Sequence, residues 1–170
     1  MVRNVRPTRF EPHLLQLIRE DPQPTGAWTF AECGLSDPPM GVVLGLPTRA
    51  LVYLQCVASP WPGDRYDQPE QVQYGDLPPP LSMPVLPSPA GLTGMVLVER
   101  YLGSLLTGHQ GGELAAVELY ADRAKPGAIP YGLNATFHNG SRIFLYARHC
   151  IPAGRQLGDH DAPFRRRDSI

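Results

Sequence analysis

Lysine is almost missing from this chain, and charge of either sign is never in large excess. Lys125 is the one lysine against fourteen arginines, and the formal net charge is only -1. That balance gives no overall reason to expect nucleic acid, an anionic membrane or a strongly charged substrate as a partner. The arginine bias, together with 20 prolines and 17 glycines, is typical of a protein from a GC-rich bacterial genome.

Long hydrophobic stretches are also missing. The longest uninterrupted apolar runs, at 50–54 and 143–147, have five residues each, whereas a membrane-spanning helix needs about 18. No apolar segment follows the arginines near the N-terminus, so no secretory signal is predicted. Cys33, Cys56 and Cys150 form no CxxC pair, which favours a reducing compartment over a disulfide framework. We therefore predict a cytoplasmic protein.

The short motifs that carry well-known catalytic mechanisms are absent. The sequence has no glycine-rich phosphate loop, HExxH metal site, EF-hand loop, GxSxG nucleophile turn or paired zinc cysteines. Their absence excludes enzymes that are recognised by local sequence, but not enzymes built from scattered residues. No cofactor and no metal site are predicted.

The residues that are present suffice for one folded unit, because 42% of the 170 residues are hydrophobic. We predict a single α+β domain over 1–170, with an antiparallel sheet of about five strands and two helices packed on it. Apolar stripes predict the helices at 10–20 and 93–107. Candidate strand segments, chosen for alternation and for β-branched or aromatic residues, lie at 28–33, 42–46, 50–58, 113–122, 131–138 and 141–150.

The strongest local signal is Asn139-Gly140 between two β-rich runs. Asn-Gly supplies the positive φ angles of a two-residue type I′ turn, which predicts that His138 pairs with Ser141. One face of this hairpin then holds the aromatic residues and is the expected core side: Leu133, Ala135, Phe137, Phe144, Tyr146 and Cys150. The other face is expected either to lie under the second helix or to bind a ligand: Asn134, Thr136, His138, Ile143, Leu145, Ala147 and His149.

A proline-rich segment at 60–91 has no helical or strand period and is predicted to be a long loop. It contains nine of the 20 prolines. Loops longer than about 12–15 residues are uncommon in compact domains and tend to be functional or disordered. Trp61, Tyr66 and Tyr74 are the candidate anchors for a protein partner, and the remainder of the loop is expected to pack on its own domain.

Catalytic candidates are scattered: His149, His138 and Glu118. Because neighbouring strand residues point to opposite faces, His149 is not expected to activate Cys150, which is predicted to be an inert core thiol. The two histidines lie about 25 Å apart along the hairpin, too far for one metal ion to bind both.

The segment 152–170 is predicted to be a polar tail. Arg165, Arg166 and Arg167 are the only hint of nucleic-acid binding, and they are expected to be solubilising charges. The Asp159-His160-Asp161 cluster is expected to be solvated rather than to bind metal.

Two hypotheses about function follow. The first is a non-catalytic protein-binding module that presents the proline-rich loop; size and class suggest, by analogy alone, an immunity-type inhibitor or a pathway accessory protein. The alternative is a small cytosolic enzyme or small-molecule-binding protein with a pocket between sheet and loop. That pocket would use His138 or His149 with Glu118, Tyr146 and Arg148.

Overall fold

The computed structural model describes residues 6–36, 40–86, 94–109 and 111–157. Their elements, in chain order, are α1 (Pro7–Glu20), β1 (Gly26–Thr29), β2 (Gly41–Gly45), β3 (Leu51–Ser59), α2 (Gly94–Gly108), β4 (Leu114–Leu119), a 3₁₀ turn (Tyr120–Asp122), β5 (Gly132–Phe137) and β6 (Arg142–Ile151). The predicted α+β class is confirmed, with six strands where about five were expected.

All six strands form one antiparallel sheet in the order β1-β2-β3-β6-β5-β4. Two three-stranded meanders therefore lie side by side and meet where β3 pairs with β6. The chain leaves the centre of the sheet after β3, and returns at the opposite edge as β4. The proline-rich loop and α2 fill this connection.

Helix α1 begins three residues earlier than predicted, because Pro7 occupies its first turn, where a missing amide costs nothing. Its apolar stripe is buried on the sheet, and Phe10 meets Phe137 of β5 edge to face, with ring centroids 6.4 Å apart. The helix ends at Asp21-Pro22, where the residue before proline takes an extended conformation.

Two predicted strands are shorter than expected. The segment 28–33 forms a strand only as far as Thr29 and then turns, since Cys33 donates its amide to the carbonyl of Phe30. The segment 113–122 is a strand to Leu119, after which the 3₁₀ turn begins.

The register predicted for the β5–β6 hairpin is wrong. Ser141 was expected to pair with His138, but it pairs with Phe137, whose amide donates to the Ser141 carbonyl at 2.9 Å. The loop therefore has three residues and ends at Gly140, which takes a φ of +90°. His138 instead donates its amide to the carbonyl of Glu113.

A shift of one residue exchanges the two faces of β6. The side chains that share the core face with Leu133 and Ala135 are Ile143, Leu145 and Ala147, all at most 1% exposed. Phe144 and Tyr146 are half-buried on the opposite face, so their assignment to the core is wrong. Cys150 does pack against the core. The reason is an irregularity in β6: Tyr53 of β3 pairs with His149, whereas the next β3 residue pairs with Ala147, so Arg148 is an extra residue in β6. This extra residue returns Cys150 to the core face.

We call the side of the sheet that carries α1 and α2 the core face, and the other side the outer face. The outer face has a smaller apolar cluster at its β1–β3 end, formed by Phe30, Val43, Tyr53 and Ile151 and flanked by Leu157. Neither α1 nor α2, the α-helices of the described ranges, could span a bilayer.

Candidate functional site

The first half of the proline-rich loop runs along the tip of the β5–β6 hairpin. Trp61 donates its amide to Ser141 Oγ at 3.1 Å, and Asn139 Nδ2 donates to the carbonyl of Gln71 at 2.9 Å. The His138 ring lies 2.9 Å from the carbonyl oxygen of Asp76. His138 is therefore a contact between hairpin and loop.

Two arginines at the N-terminal end of α1, one of them the N-cap residue Arg6, hold the same half of the loop. The Arg6 guanidinium bonds to Asp64 at 2.6 Å, and Arg9 pairs with Glu70. Arg9 also lies 3.8 Å from Glu113, which is 2% exposed. Because these carboxylates are largely removed from water, the pairs fix the loop more firmly than surface ion pairs would.

The second half of the loop crosses α2 and reaches the end of α1. Leu81 donates its amide to Thr107 Oγ1 at 2.9 Å. The Gln23 side chain then forms two hydrogen bonds with the loop: its Nε2 donates to the carbonyl of Pro84, and its Oε1 accepts from the amide of Leu86. Leu86 is 3% exposed and belongs to the core. The described part of the loop is thus packed on its own domain.

Most of the exposed large hydrophobic side chains lie on this loop. Six such side chains occur among the described residues, and Trp28 is the one outside it. The other five are Tyr66 (59% exposed), Tyr74 (53%), Leu77 (44%), Met83 (45%) and Val85 (84%). A loop whose backbone is fixed, but whose apolar side chains point to water, is a candidate binding surface.

The three predicted anchors have different surroundings. Trp61 is half-buried, and its Cβ lies near Gly140 of the hairpin, so it packs within the domain. Tyr66 is exposed and has the Arg6 guanidinium 4.8 Å from its ring centroid. Tyr74 is exposed beside Gly112. Sequence reasoning missed the exposure of Leu77, Met83 and Val85, although the prolines between them signal an extended chain with little room for self-burial.

The predicted catalytic candidates are not brought together. His149 packs edge to face on Tyr53 on the outer face, with centroids 6.1 Å apart, whereas His138 lies at the hairpin tip. Glu118 is exposed on β4 and bonds to Arg123 at 2.7 Å. The hypothesis of a pocket between the sheet and the loop needs one of the two histidines, not both. Its Glu118 and Tyr146 share the outer face, where Arg123 bonds to Glu118 and stacks on Tyr120, the neighbour of Tyr146.

The other two residues of that hypothesis lie on β6. Tyr146 stands in an aromatic row on the outer face, between Tyr120 and Phe144, at centroid distances of 6.2 and 5.8 Å. Burial and the neighbouring Tyr146 raise the pKa of Tyr120 to about 12, so its hydroxyl stays protonated. Arg148 occupies the irregular position of β6. This row is a packed surface of aromatic rings rather than an acid–base pair.

The cysteines are free thiols in three environments. Cys56 is buried, Cys150 is half-buried and Cys33 is exposed. Burial raises the pKa of each thiol above its ordinary value. Reactive cysteines need a lowered pKa, so none of the three has the character of a nucleophile.

Over the described ranges, no cluster of three or more His, Cys, Asp or Glu side chains could hold a metal ion. The Asp159-His160-Asp161 cluster and the arginines at 165–167 lie outside the described residues. Among the described residues, the surfaces that a partner can contact include the exposed apolar side chains of the loop, the aromatic row of the outer face and the edges of the sheet. Neither a protein-family model, nor a curated protein, nor a solved structure matches the chain.

Proposed function

We propose that this protein is a non-catalytic protein-binding module whose partner docks on the proline-rich loop. The observation that carries the proposal is the concentration, between Tyr66 and Val85, of five of the six exposed large hydrophobic side chains in the part of the chain that the structure describes. Scattered surface hydrophobics need no explanation, but a concentration of them on one segment is typical of interaction sites.

The way the loop is held supports the same proposal. Ion pairs from Arg6 and Arg9, and hydrogen bonds to the Thr107 and Gln23 side chains, hold the loop in place before any partner arrives. Ordering a flexible loop on binding costs free energy, so a loop that is already fixed binds more tightly through the same contacts. The chain between Leu77 and Val85 also contains four prolines, which restrict it further.

The test is a capture experiment with the folded protein as bait and extract of its native host as the source of partners. The triple variant Leu77→Ser, Met83→Ser and Val85→Ser removes exposed apolar area and keeps Thr107 and Gln23, which anchor the loop backbone. It also removes the contact of the Met83 sulfur with the hydroxyl of Ser104, so the melting temperature of the variant is measured alongside. We expect the partner recovered by the wild-type protein to be lost by this variant, with an affinity at least tenfold lower when the purified pair is measured.

Trp28→Ser is the matched control, because Trp28 is an exposed large hydrophobic residue outside the loop. It should keep the partner. Deleting the loop is unsuitable, since Leu86 belongs to the core and the deletion would unfold the domain. Equal binding by wild type and triple variant, with unchanged melting temperatures, would refute the proposal.

The identity of the recovered protein tests the finer part of the proposal. A toxin whose activity the bait neutralises would make the chain an immunity-type inhibitor, and an enzyme whose activity it changes would make it a pathway accessory protein. The cytoplasm is the compartment we propose, supported by three free cysteines.

A further inference from the structure

The outer edge of β1 is blocked by side chains and by a turn. Phe30 donates its amide to Gly41 of β2, and because strand residues alternate, Ala27 and Thr29 point their backbone groups away from the sheet. Arg19 Nε donates to the Ala27 carbonyl at 3.0 Å. The backbone of Thr29 is bound twice, its amide by Glu32 Oε2 at 2.7 Å and its carbonyl by the amide of residue 33.

The same alternation shows which groups of β4 point outward. Phe137 bonds to Ser141, so odd-numbered residues of β5 bond to β6 and even-numbered residues bond to β4. Glu118 is paired with one of these even-numbered residues, Asn134, and therefore points its backbone groups inward. Its neighbour Val117 points its N–H and C=O away from the sheet.

Nothing in the described part of the chain bonds to these outward groups of Val117, unlike the capped groups of β1. The β4 strand also contains neither proline nor lysine, and its one charged residue, Glu118, lies on the outer face, away from the helices. Its irregularity lies near Ala115, which leaves Ala116 to Leu119 as a regular stretch. β4 is thus the edge at which another strand can pair.

Apolar side chains line the helix side of this edge. A Cβ placed on Gly103 of α2 would lie 2.7 Å from Leu81, 3.1 Å from Leu119 and 3.7 Å from Val117, so these three side chains meet there. Leu81 and Val117 are only partly buried on the core. Since Leu81 belongs to the proline-rich loop, the loop and the β4 edge share one apolar seam.

We infer that the partner adds an extended strand to β4, forming backbone hydrogen bonds with Val117. This inference rests on the proposed function and describes how that partner is held. Alternate side chains of the incoming strand should be apolar and pack on Leu81 and Val117, while those between them lie beside Glu118 and should be polar. An extended segment of a protein is therefore the ligand class.

A second copy of this chain is the less suitable occupant. The regular stretch from Ala116 to Leu119 is about 13 Å long. Two such stretches paired about a two-fold axis bury far less than the roughly 800 Å² per subunit of a stable interface. A partner strand gains additional contact from the loop on the same seam.

The probe is a synthetic peptide of alternating valine and threonine with two lysines at each end, added to the ¹⁵N-labelled protein. We expect shift changes centred on the Val117 amide, and slower hydrogen exchange there. Val117→Pro removes the outward donor, at a position that tolerates proline, together with the valine methyl groups of the seam, and should lower peptide affinity at least tenfold. Val117→Thr keeps the backbone donor and should stay within threefold of wild type.

The peptide titration and the two Val117 variants distinguish strand addition from the other uses of this edge. Peptide-induced changes confined to other surfaces, or unchanged affinity in a folded Val117→Pro variant, would overturn strand addition. A dimer of the free protein that Val117→Pro dissociates would assign the edge to a second copy and overturn the partner assignment. Loss of the captured partner in the loop triple variant, combined with absence of peptide binding at β4, would leave the proposed function standing and remove this inference alone.

Discussion

His13 and His109 meet edge to face where α1 and α2 adjoin, with ring centroids 5.8 Å apart and planes inclined at 75°. His13 is 5% exposed. Burial, and to a smaller extent the neighbouring His109, lower the pKa of His13 from its ordinary 6.5 to about 4. The folded protein therefore holds this imidazole neutral at physiological pH.

The first prediction is a loss of stability in mild acid. Since the pKa of His13 is lower in the folded than in the unfolded state, the unfolded chain takes up its proton first. The free energy of unfolding is therefore unaffected by protonation of His13 above pH 6.5. It decreases as the pH falls towards 4, by up to about 3 kcal/mol. Urea unfolding of wild type and of His13→Leu between pH 7 and pH 4 measures it. Equal pH dependence in both proteins would contradict the assignment.

The second prediction concerns Gly132, at the start of β5. Its φ is +148°, and an added Cβ would lie 2.1 Å from the carbonyl oxygen of Leu145. Gly132→Ala should therefore destabilise the fold by about 3 kcal/mol or more, through strain and overlap together. Gly108→Ala is the control, because no atom lies within 4 Å of its added Cβ. The free energy of unfolding, measured by thermal denaturation, should change by less than about 1 kcal/mol for this control.

The third prediction concerns the ion pairs that hold the loop. Arg9→Met removes the charge that neutralises Glu70 and the buried Glu113, which should cost about 1–3 kcal/mol and loosen the first half of the loop. Trypsin should then cleave faster after Arg65. Arg100→Met removes an ion pair whose two side chains are about half exposed, and it should leave cleavage and stability unchanged. Similar cleavage rates for both variants would argue against this role of Arg9.

The fourth prediction is an order of thiol labelling. Cys33 is exposed, Cys150 is half-buried and Cys56 is buried at 7% exposure. Burial raises the pKa of all three, so access to reagent sets their relative rates. Iodoacetamide followed by peptide mass analysis should find Cys33 labelled first and Cys56 labelled only on unfolding. Early modification of Cys56 would show that the core opens more readily than its packing indicates.

The elements were predictable where local chemistry is sufficient. The apolar stripe at 10–20 marks a helix, and the β-branched and aromatic residues at 42–46 and 50–58 mark two strands, all of which the structure contains. Each signal depends on residues within a few positions of one another. The packing of the proline-rich loop was anticipated in outline, but its anchors, such as Gln23 and Thr107, are distant in sequence and could not be paired in advance.

The candidate site depended still more on tertiary structure. Exposed aromatic residues on the loop were expected, and Tyr66 and Tyr74 fit that expectation. The open edge at β4 could not be predicted, because an edge exists only once the order of strands is known. Strand order follows from which strands pair at long range, and β3 pairing with β6 joins residues about ninety positions apart.

The sequence alone determined that a hairpin reverses at Asn139-Gly140 and that a proline-rich segment interrupts the fold. Tertiary structure decided the register, because a two-residue and a three-residue loop fit the same dipeptide and differ by one position. Burying Ile143, Leu145 and Ala147 beneath the helices, rather than Phe144 and Tyr146, fills the core face with the smaller aliphatic side chains. That choice depends on what α1 and α2 present to the sheet, which local sequence does not specify.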